Sequence, residues 1–252
     1  MKALHALAAT LVALHLPAHA VGNHMDITLY DRAAGRELPV HWHEGRAYVV
    51  GKPGNEYQIG LRNRRGEDLL AVVSVDGVNV MSGETANVQQ SGYVLSPWRR
   101  YDVRGWRKSL NDVAAFYFTS LGDSYAGRTG RPQNVGVIGV ALFQRKAEPV
   151  AYGAGPAEAD RAEQKPESRR EKSTADAPRA QAAPSAPLGT GHGRREESRV
   201  TWTEFERASD TPVETITIYY DSYPNLVARG ILTAPVAPRD PRPFPGFAPD
   251  PA

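Results

Sequence analysis

The sequence predicts an all-β protein, an antiparallel β-sandwich of jelly-roll type, and three observations lead to that fold class. Apolar and polar residues alternate over 57–62, as in a strand with one face in water. Patterns with the 3.6-residue helical period are nearly absent. Short apolar runs rich in Val, Ile and Phe lie between turn residues, at 69–75, 113–118 and 135–143. Short strands at this spacing are typical of a sandwich or a barrel.

Individual residues in two of these runs predict where the strand lies in the sheet or how it bends. The run 69–75 is apolar apart from Ser74, which suits a central strand. Asp76-Gly77 follows directly and predicts a hairpin turn, because glycine tolerates a positive φ. Gly136 and Gly139 interrupt the run 135–143, and glycines there suit a strand that bends or approaches another backbone closely.

The character of the chain changes after residue 146. Residues 147–198 are rich in Ala, Pro, Glu and Arg, and their apolar area is too small to offset chain entropy. They predict a disordered linker, with a short charged helix over 157–172 as the alternative. Residues 235–252 contain seven prolines and predict an extended, disordered tail.

Between linker and tail, residues 199–234 regain aromatic and β-branched side chains. They predict a β-hairpin with strands at 200–203 and 213–220. Two strands alone are only marginally stable in water. The hairpin is therefore expected to dock on the β domain predicted for residues 21–146 and to complete the sandwich.

Residues 1–20 predict a signal peptide. Lys2 supplies a positive charge, residues 6–16 are mostly apolar but too short to span a bilayer, and Ala18-His19-Ala20 has the pattern of a cleavage site. An uncleaved anchor or a buried helix is the alternative interpretation. Cleavage after Ala20 would give a periplasmic or secreted bacterial protein. No later stretch is apolar over the length of a membrane helix, so the protein is not expected to span a membrane.

Composition excludes several classes of function. The 252 residues include no cysteine, which excludes disulfides, thiolate metal sites, iron–sulfur clusters and a cysteine nucleophile. A formal net charge of +2 gives little long-range attraction to polyanions, so nucleic acid is not an expected partner. The main nucleophile, zinc, Walker and dinucleotide-binding motifs are missing. We therefore expect no enzyme and no cofactor, although carboxylates distant in sequence could still form a glycosidase-like pair.

A basic and aromatic stretch at 98–108 is the first candidate binding surface. Arginines can hold phosphate or carboxylate groups, and the interleaved rings can stack on sugars. On one strand, Arg100 and Arg104 would share a face with Asp102 and Trp106. A solvated edge strand, protected from aggregation by its charges, is the alternative.

The loop 120–134 is long for a hairpin connection and is the second candidate surface. It contains Gly122-Asp123-Ser124-Tyr125-Ala126, which resembles a nucleophile turn but lacks the final glycine and a following helix. An ordered surface loop is the preferred interpretation. The two candidate surfaces together give the predicted binding residues Trp98, Arg99, Arg100, Arg104, Trp106, Arg107, Arg128 and Arg131.

Two histidines suggest a metal site as an alternative. His41 and His43 project to the same face of a strand and, with Glu44, could bind zinc or copper. Two surface histidines on an exposed strand are the simpler interpretation. His24 would offer a copper site only if cleavage fell after Val21, which would make it the third residue of the mature chain.

Several short blocks in a fixed order resemble a group of uncharacterised exported bacterial proteins. The blocks are VDGVNV at 75–80, QSGYVL at 90–95, GWR at 105–107, VAAF at 113–116 and NVGVIGV at 134–140. Their order, rather than any single block, carries the resemblance over about residues 45–145. It implies a recurring exported β module to which the linker has been added, and it implies no activity.

The sequence thus favours a non-catalytic β-sandwich protein of the cell envelope that binds a protein partner or an anionic surface polymer. The alternative is a periplasmic metal-binding protein or hydrolase that uses His41 and His43. The identity of the ligand and the oligomeric state stay open.

Overall fold

The computed structural model describes residues 20–147 and 186–234. Within these residues, two β-sheets contain fourteen strands, and the remaining regular structure is two short α-helices and a 3₁₀ turn at Pro132–Asn134. In chain order the strands are β1 (Met25–Asp31), β2 (Arg36–Glu37), β3 (Val40–His43), β4 (Arg46–Val50), β5 (Glu56–Asn63), β6 (Leu69–Val75), β7 (Val78–Asn79), β8 (Tyr93–Leu95), β9 (Arg100–Val103), β10 (Gly105–Arg107), β11 (Asp112–Ser120), β12 (Val137–Gln144), β13 (Leu188–Glu197) and β14 (Glu214–Asp221). The helices are α1 (Tyr125–Arg128) and α2 (Tyr223–Ala228).

The two sheets pack together as a sandwich. Sheet I has the order β2-β1-β5-β11-β10, with β13 also on β11 and β9 also on β5. Sheet II has the order β3-β4-β14-β12-β6-β7, with β8 also on β6. The strand pairs among the described residues are antiparallel except β4 with β14, where Ile218 lies opposite Ala47. The predicted all-β sandwich is confirmed, with one parallel pair, whereas the jelly-roll order stays a prediction.

One hydrophobic core joins the sheets. In β5, Tyr57, Ile59 and Leu61 are completely buried while Arg62 is exposed, as the alternation predicted. In sheet II, the run 69–75 forms β6 between β12 and the short strands β7 and β8. Each large apolar side chain removed from water contributes roughly 1.5–3 kcal/mol, so this core is the main source of stability.

Sheet II also buries a small apolar cluster on its outer face. Leu70, Val72, Ala141 and Phe143 form it, and Phe205 packs against it. The guanidinium carbon of Arg207 lies 4.1 Å from the centroid of the Phe143 ring. The chain leading to β14 therefore covers a face that would otherwise meet water.

The turn between β6 and β7 has the predicted geometry. Val75 lies opposite Val78, so Asp76 and Gly77 are the two central residues of a hairpin. Their φ angles are 53° and 72°. Positive φ at both central positions is the requirement of a type I′ turn, which matches the twist of the flanking strands.

Asp76 is the end of a buried chain of polar groups. Its carboxylate accepts hydrogen bonds from the Tyr220 hydroxyl (2.5 Å) and from the amides of Thr190 (2.8 Å) and Gly136 (2.9 Å). The Thr190 hydroxyl lies 2.6 Å from that of Tyr220 and 2.7 Å from that of Tyr57. Tyr57 and Thr190 belong to sheet I and Tyr220 to sheet II, so the chain links the sheets through the core. Burial raises the pKa of Asp76 to about 6, although these hydrogen bonds favour the carboxylate.

The C-terminal strands differ from the predicted hairpin. β13 pairs with β11 in sheet I, whereas β14 lies between β4 and β12 in sheet II. The segment 200–203, predicted as a strand, pairs with no strand in the part of the chain that the structure describes. The C-terminal segment therefore contributes one strand to each sheet.

β13 lies inside the range predicted as linker, and the prediction is wrong for residues 188–197. This segment is rich in Gly and Glu, which are depleted in strands. A Cβ atom at Gly191 would lie 2.2 Å from the Tyr117 ring, and one at Gly189 would lie 2.6 Å from Cβ of Ser124. Because glycine has no side chain, β13 can approach its neighbours this closely at these two positions.

Three predicted segments lie mainly outside the described residues. They are the signal peptide up to residue 19, the linker over 148–185 and the tail over 235–252. Across 20–147 and 186–234, no helix has the length and apolar character needed to cross a membrane.

Candidate functional site

A groove beside β8 brings together side chains that are far apart in the sequence. It has a volume of about 330 Å³. Residues 91–96, which include β8, form one side, and the extended segment 199–203 contributes to the lining. We call it the β8 groove. The side chains that matter for its chemistry are Tyr93, Val94, Arg99, Arg100, Tyr101, Arg199, Val200 and Trp202.

β8 has one edge without a partner strand, on a strand whose Leu95 carbonyl already accepts a hydrogen bond from Nδ2 of Asn63 at 3.0 Å. Its three residues pair with 69–71 of β6, and no other strand among the described residues pairs with it. An open edge presents backbone N–H and C=O groups that another extended chain can pair with. Because residues 91–96 all line the groove, the groove follows β8 along its length.

Arg107 lies behind the groove and connects its two sides. Its Nη2 donates to the hydroxyls of Tyr93 (3.2 Å) and Tyr101 (3.0 Å), and its Nη1 donates to the carbonyl of Ser198. Burial raises the pKa of Tyr93 to about 12, so this phenol stays neutral. Nε of Arg107 is buried without a hydrogen-bond partner among the described residues. Arg107, predicted as a binding residue, is not among the described residues that line the groove, and its side chain holds the hydroxyls of Tyr93 and Tyr101 instead.

The charge lining the groove is positive. Arg99, Arg100 and Arg199 line it, and no Asp or Glu of the described ranges does. Nε of Arg100 lies 3.1 Å from Oδ1 of Asp102 and its Nη1 lies 3.4 Å from Oε1 of Glu37, while Nε of Arg199 lies 2.5 Å from Oε1 of Glu197. Exposed pairs of this kind contribute about 0–1 kcal/mol, so a ligand carboxylate can compete for these arginines.

Trp202 is the largest exposed side chain of the groove. It is 80% exposed and also lines a neighbouring groove along 203–207. Val200 is partly buried against the core, and its amide donates to the carbonyl of Leu110 at 2.8 Å. The segment is thus anchored at Val200 and presents Trp202 to solvent. Sequence reasoning missed Trp202 as a site residue, because an aromatic residue in a strand-like pattern is also typical of a core.

Trp98 precedes Arg99 in an unusual backbone conformation. The amide of Arg99 donates to the carbonyl of Ser96 at 3.2 Å, Pro97 holds the second turn position, and Trp98 has a φ of 62°. This is the arrangement of a type II turn, whose third position normally holds glycine. A bulky residue in this region costs on the order of 1–3 kcal/mol. The ring is 65% exposed, so core packing does not offset that cost.

The predicted common face of residues 98–108 is divided by a break in the strand. β9 pairs with β5 and β10 pairs with β11, and Arg104 lies between them. Trp106 is consequently in the core, where its Nε1 donates to the carbonyl of Gly191 at 3.0 Å. The prediction of Trp106 as a binding residue is wrong for this reason. Arg104 is exposed and is not among the described residues that line the β8 groove.

Arg128 and Arg131 belong to a separate basic surface. The guanidinium carbon of Arg131 lies 5.8 Å from the centroid of the Tyr125 ring, and that ring lies 5.7 Å from the ring of His192. Burial and then the positive charges of Lys108 and Arg128 lower the pKa of His192. The structure therefore does not join these arginines to the β8 groove.

Hydrogen bonds of the Ser124 side chain hold the loop that carries this surface. Its hydroxyl donates to the carbonyl of Leu121 (2.7 Å) and accepts from the amide of Gly127 (3.0 Å). A helix does follow Ser124, contrary to the sequence expectation, but α1 has four residues. The Ser124 side chain is buried as the N-cap of α1, which explains the order of the loop without a nucleophile.

The histidines predicted as metal ligands do not form a metal-binding cluster among the described residues. Among the described residues no group of three His, Cys, Asp or Glu side chains is close enough to hold a metal. His41 and His43 lie on β3, and Nε2 of His43 is 3.9 Å from the Glu44 carboxylate. The amide and Nδ1 of His24 lie 2.8 and 3.1 Å from Oε2 of Glu214, so the amide that a copper site would use is already bound. Zinc or copper binding stays a prediction.

No match was found when the chain was compared with protein-family models, with curated proteins and with solved structures.

Proposed function

We propose that this protein is a non-catalytic binding protein of the bacterial cell envelope, and that its β8 groove holds an extended, carboxylate-bearing segment of a protein partner. One observation carries the proposal: the open edge of β8 and three arginines line the same groove. The edge would supply main-chain hydrogen bonds, and the arginines would supply the preference for carboxylates.

A polypeptide fits these features better than an anionic polymer does. Only a peptide backbone offers alternating donors and acceptors to the edge of a strand. Val94 and Val200 add apolar surface for side chains that alternate with the carboxylates, and the exposed Trp202 ring is of the type that anchors protein interfaces. The predicted signal peptide supports the envelope as the place where such a partner is met.

The proposal is tested with a fluorescein-labelled dodecapeptide in which valine and glutamate alternate. We expect saturable binding in fluorescence anisotropy, weakened by salt because exposed charges are screened. Replacing Arg99 and Arg199 together by Glu should weaken binding at least tenfold. Arg104→Glu is the control, since it reverses one arginine charge outside the groove and should leave binding unchanged.

Two further peptides separate strand pairing from charge. A valine–lysine peptide should not bind. A valine–glutamate peptide with every backbone nitrogen methylated should bind at least tenfold more weakly, because neither of its edges can donate hydrogen bonds to β8. If the methylated peptide binds as well as its parent, or if Arg104→Glu weakens binding as much as the groove variant, the β8 groove is not the site.

A further inference from the structure

Trp98 combines exposure with backbone strain. It occupies the position of a type II turn that glycine fills without strain, and its ring stands 65% exposed. Trp42 is similarly exposed, at 57%, but lies on β3 without a positive φ. Strained residues cluster at active sites, ligand clamps and switch regions. The ring of Trp98 therefore points to contact with something outside the folded chain.

The surroundings of Trp98 are polar and basic. The ring lines a shallow depression of about 400 Å³ together with Arg64, Arg65, Gly66 and Glu67. The Arg64 side chain is half exposed and lies 3.4 Å from Oδ1 of Asp26, and Nε of Arg65 lies 3.9 Å from the Glu67 carboxylate. Both contacts are weak by distance and exposure. The two guanidinium groups are therefore available to an anion beside the ring.

We propose that Trp98, Arg64 and Arg65 bind an acidic sugar unit of a surface glycan. A flat aromatic face can stack on a sugar ring, and a guanidinium can pair with its carboxylate through two parallel hydrogen bonds. The Glu67 carboxylate can accept hydrogen bonds from sugar hydroxyls. A protein partner would call for an apolar pocket around the ring, but the other lining residues are polar or glycine.

This site is separate from the β8 groove and is proposed independently of it. Trp202, which lines that groove, does not line the depression beside Trp98. A Trp202→Ala variant therefore distinguishes the two proposals: it should weaken peptide binding in the groove and leave glycan binding unchanged.

The test uses alginate, a polymer of uronic acids, in titration calorimetry with the purified protein. Dextran serves as the neutral glycan, polyphosphate as the polyanion without sugar, and phosphatidylglycerol vesicles as the anionic lipid surface. We expect binding to alginate only. Trp98→Gly should weaken that binding at least tenfold, Trp98→Phe should retain most of it, and Trp42→Ala should not change it.

A stability measurement keeps the test independent of misfolding. Trp98→Gly relieves the positive φ, so its thermal midpoint should be equal to or above that of the wild type, and above that of Trp98→Ala. Loss of alginate binding in a variant that is no less stable would assign the ring to the ligand. Unchanged binding by Trp98→Gly, equal binding of dextran or polyphosphate, binding of the vesicles, or no binding of alginate by the wild type would each overturn the proposal.

Discussion

The Tyr220 hydroxyl donates a 2.5 Å hydrogen bond to Asp76, and this bond sets the direction of a hydrogen-bond chain between the two sheets. Because its proton is used for Asp76, Tyr220 accepts from Thr190, and Thr190 in turn accepts from Tyr57. Every hydroxyl of the chain then has an acceptor, and the carboxylate is its end. A buried chain of this kind is stabilising only when every member is satisfied.

The raised pKa of Asp76 predicts a loss of stability as the pH rises. Burial raises this pKa from 3.8 to about 6. A raised folded-state pKa contributes stability that is complete below the unfolded pKa and is lost as pH rises through the folded pKa. The window is therefore about pH 4–6, and the loss is on the order of 3 kcal/mol at about 1.4 kcal/mol per pKa unit.

Urea unfolding of the wild type and of Asp76→Asn measures this effect. The substitution should destabilise the protein by about 1–3 kcal/mol, because the amide nitrogen must face at least one backbone N–H donor. Since the asparagine does not titrate, the stability advantage of the wild type should shrink as the pH rises from about 4 to 7. An advantage that grows over this range would contradict the sign assigned to Asp76.

The direction of the chain predicts different costs for two removals of a tyrosine hydroxyl. Tyr57 is the first donor, so Tyr57→Phe leaves every remaining donor paired and should cost about 1 kcal/mol. Tyr220→Phe removes a middle member, which leaves the Thr190 hydroxyl without its acceptor and removes one bond to Asp76. Its cost should be about 2–3 kcal/mol. Chemical denaturation at one pH compares them, and equal costs would mean that the chain does not run in this direction.

Much of the fold could be predicted from the sequence because local patterns and packing agree there. The alternation of β5, the apolar run of β6 and the turn at Asp76-Gly77 each combine a local preference with the burial that the sandwich supplies. β13 could not be predicted, because its glycines are unfavourable in a strand until the Tyr117 ring is known to lie against them.

The candidate site was predicted only in part, for a related reason. Arg99 and Arg100 could be named because basic and aromatic residues are close together in the sequence. Trp202 could not, since it reaches the groove through the long-range path of segment 199–203 past Leu110 and Arg107. Trp106 was wrongly predicted to lie at the surface because the strand breaks at Arg104. Before the break the chain pairs with β5 and after it with β11, so different side chains face water.

The close approach of β13 predicts that Gly191→Ala is destabilising. The new Cβ would lie 2.2 Å from the Tyr117 ring, so the ring or β13 must move. Overpacking of this kind costs about 1–3 kcal/mol. Gly122→Ala is the matched control, because no atom of the described residues other than its chain neighbours lies within 4 Å of its Cβ position, and its φ is not positive. Thermal unfolding of both variants makes the comparison; a wild-type midpoint for Gly191→Ala would mean that β13 is not held at this distance.

The position of β14 predicts that the chain cut after residue 147 cannot fold alone. β14 lies between β4 and β12, so its removal divides sheet II, and it also removes Ile216, Ile218 and Tyr220 from the core. We expect a protein of residues 21–147 to lack a cooperative thermal transition, and addition of residues 186–234 as a separate chain to restore one. A second fragment with Ile218→Asp should fail, because it would bury an unpaired charge. A cooperative transition of the cut chain at the wild-type temperature would show instead that residues 21–147 fold without β14.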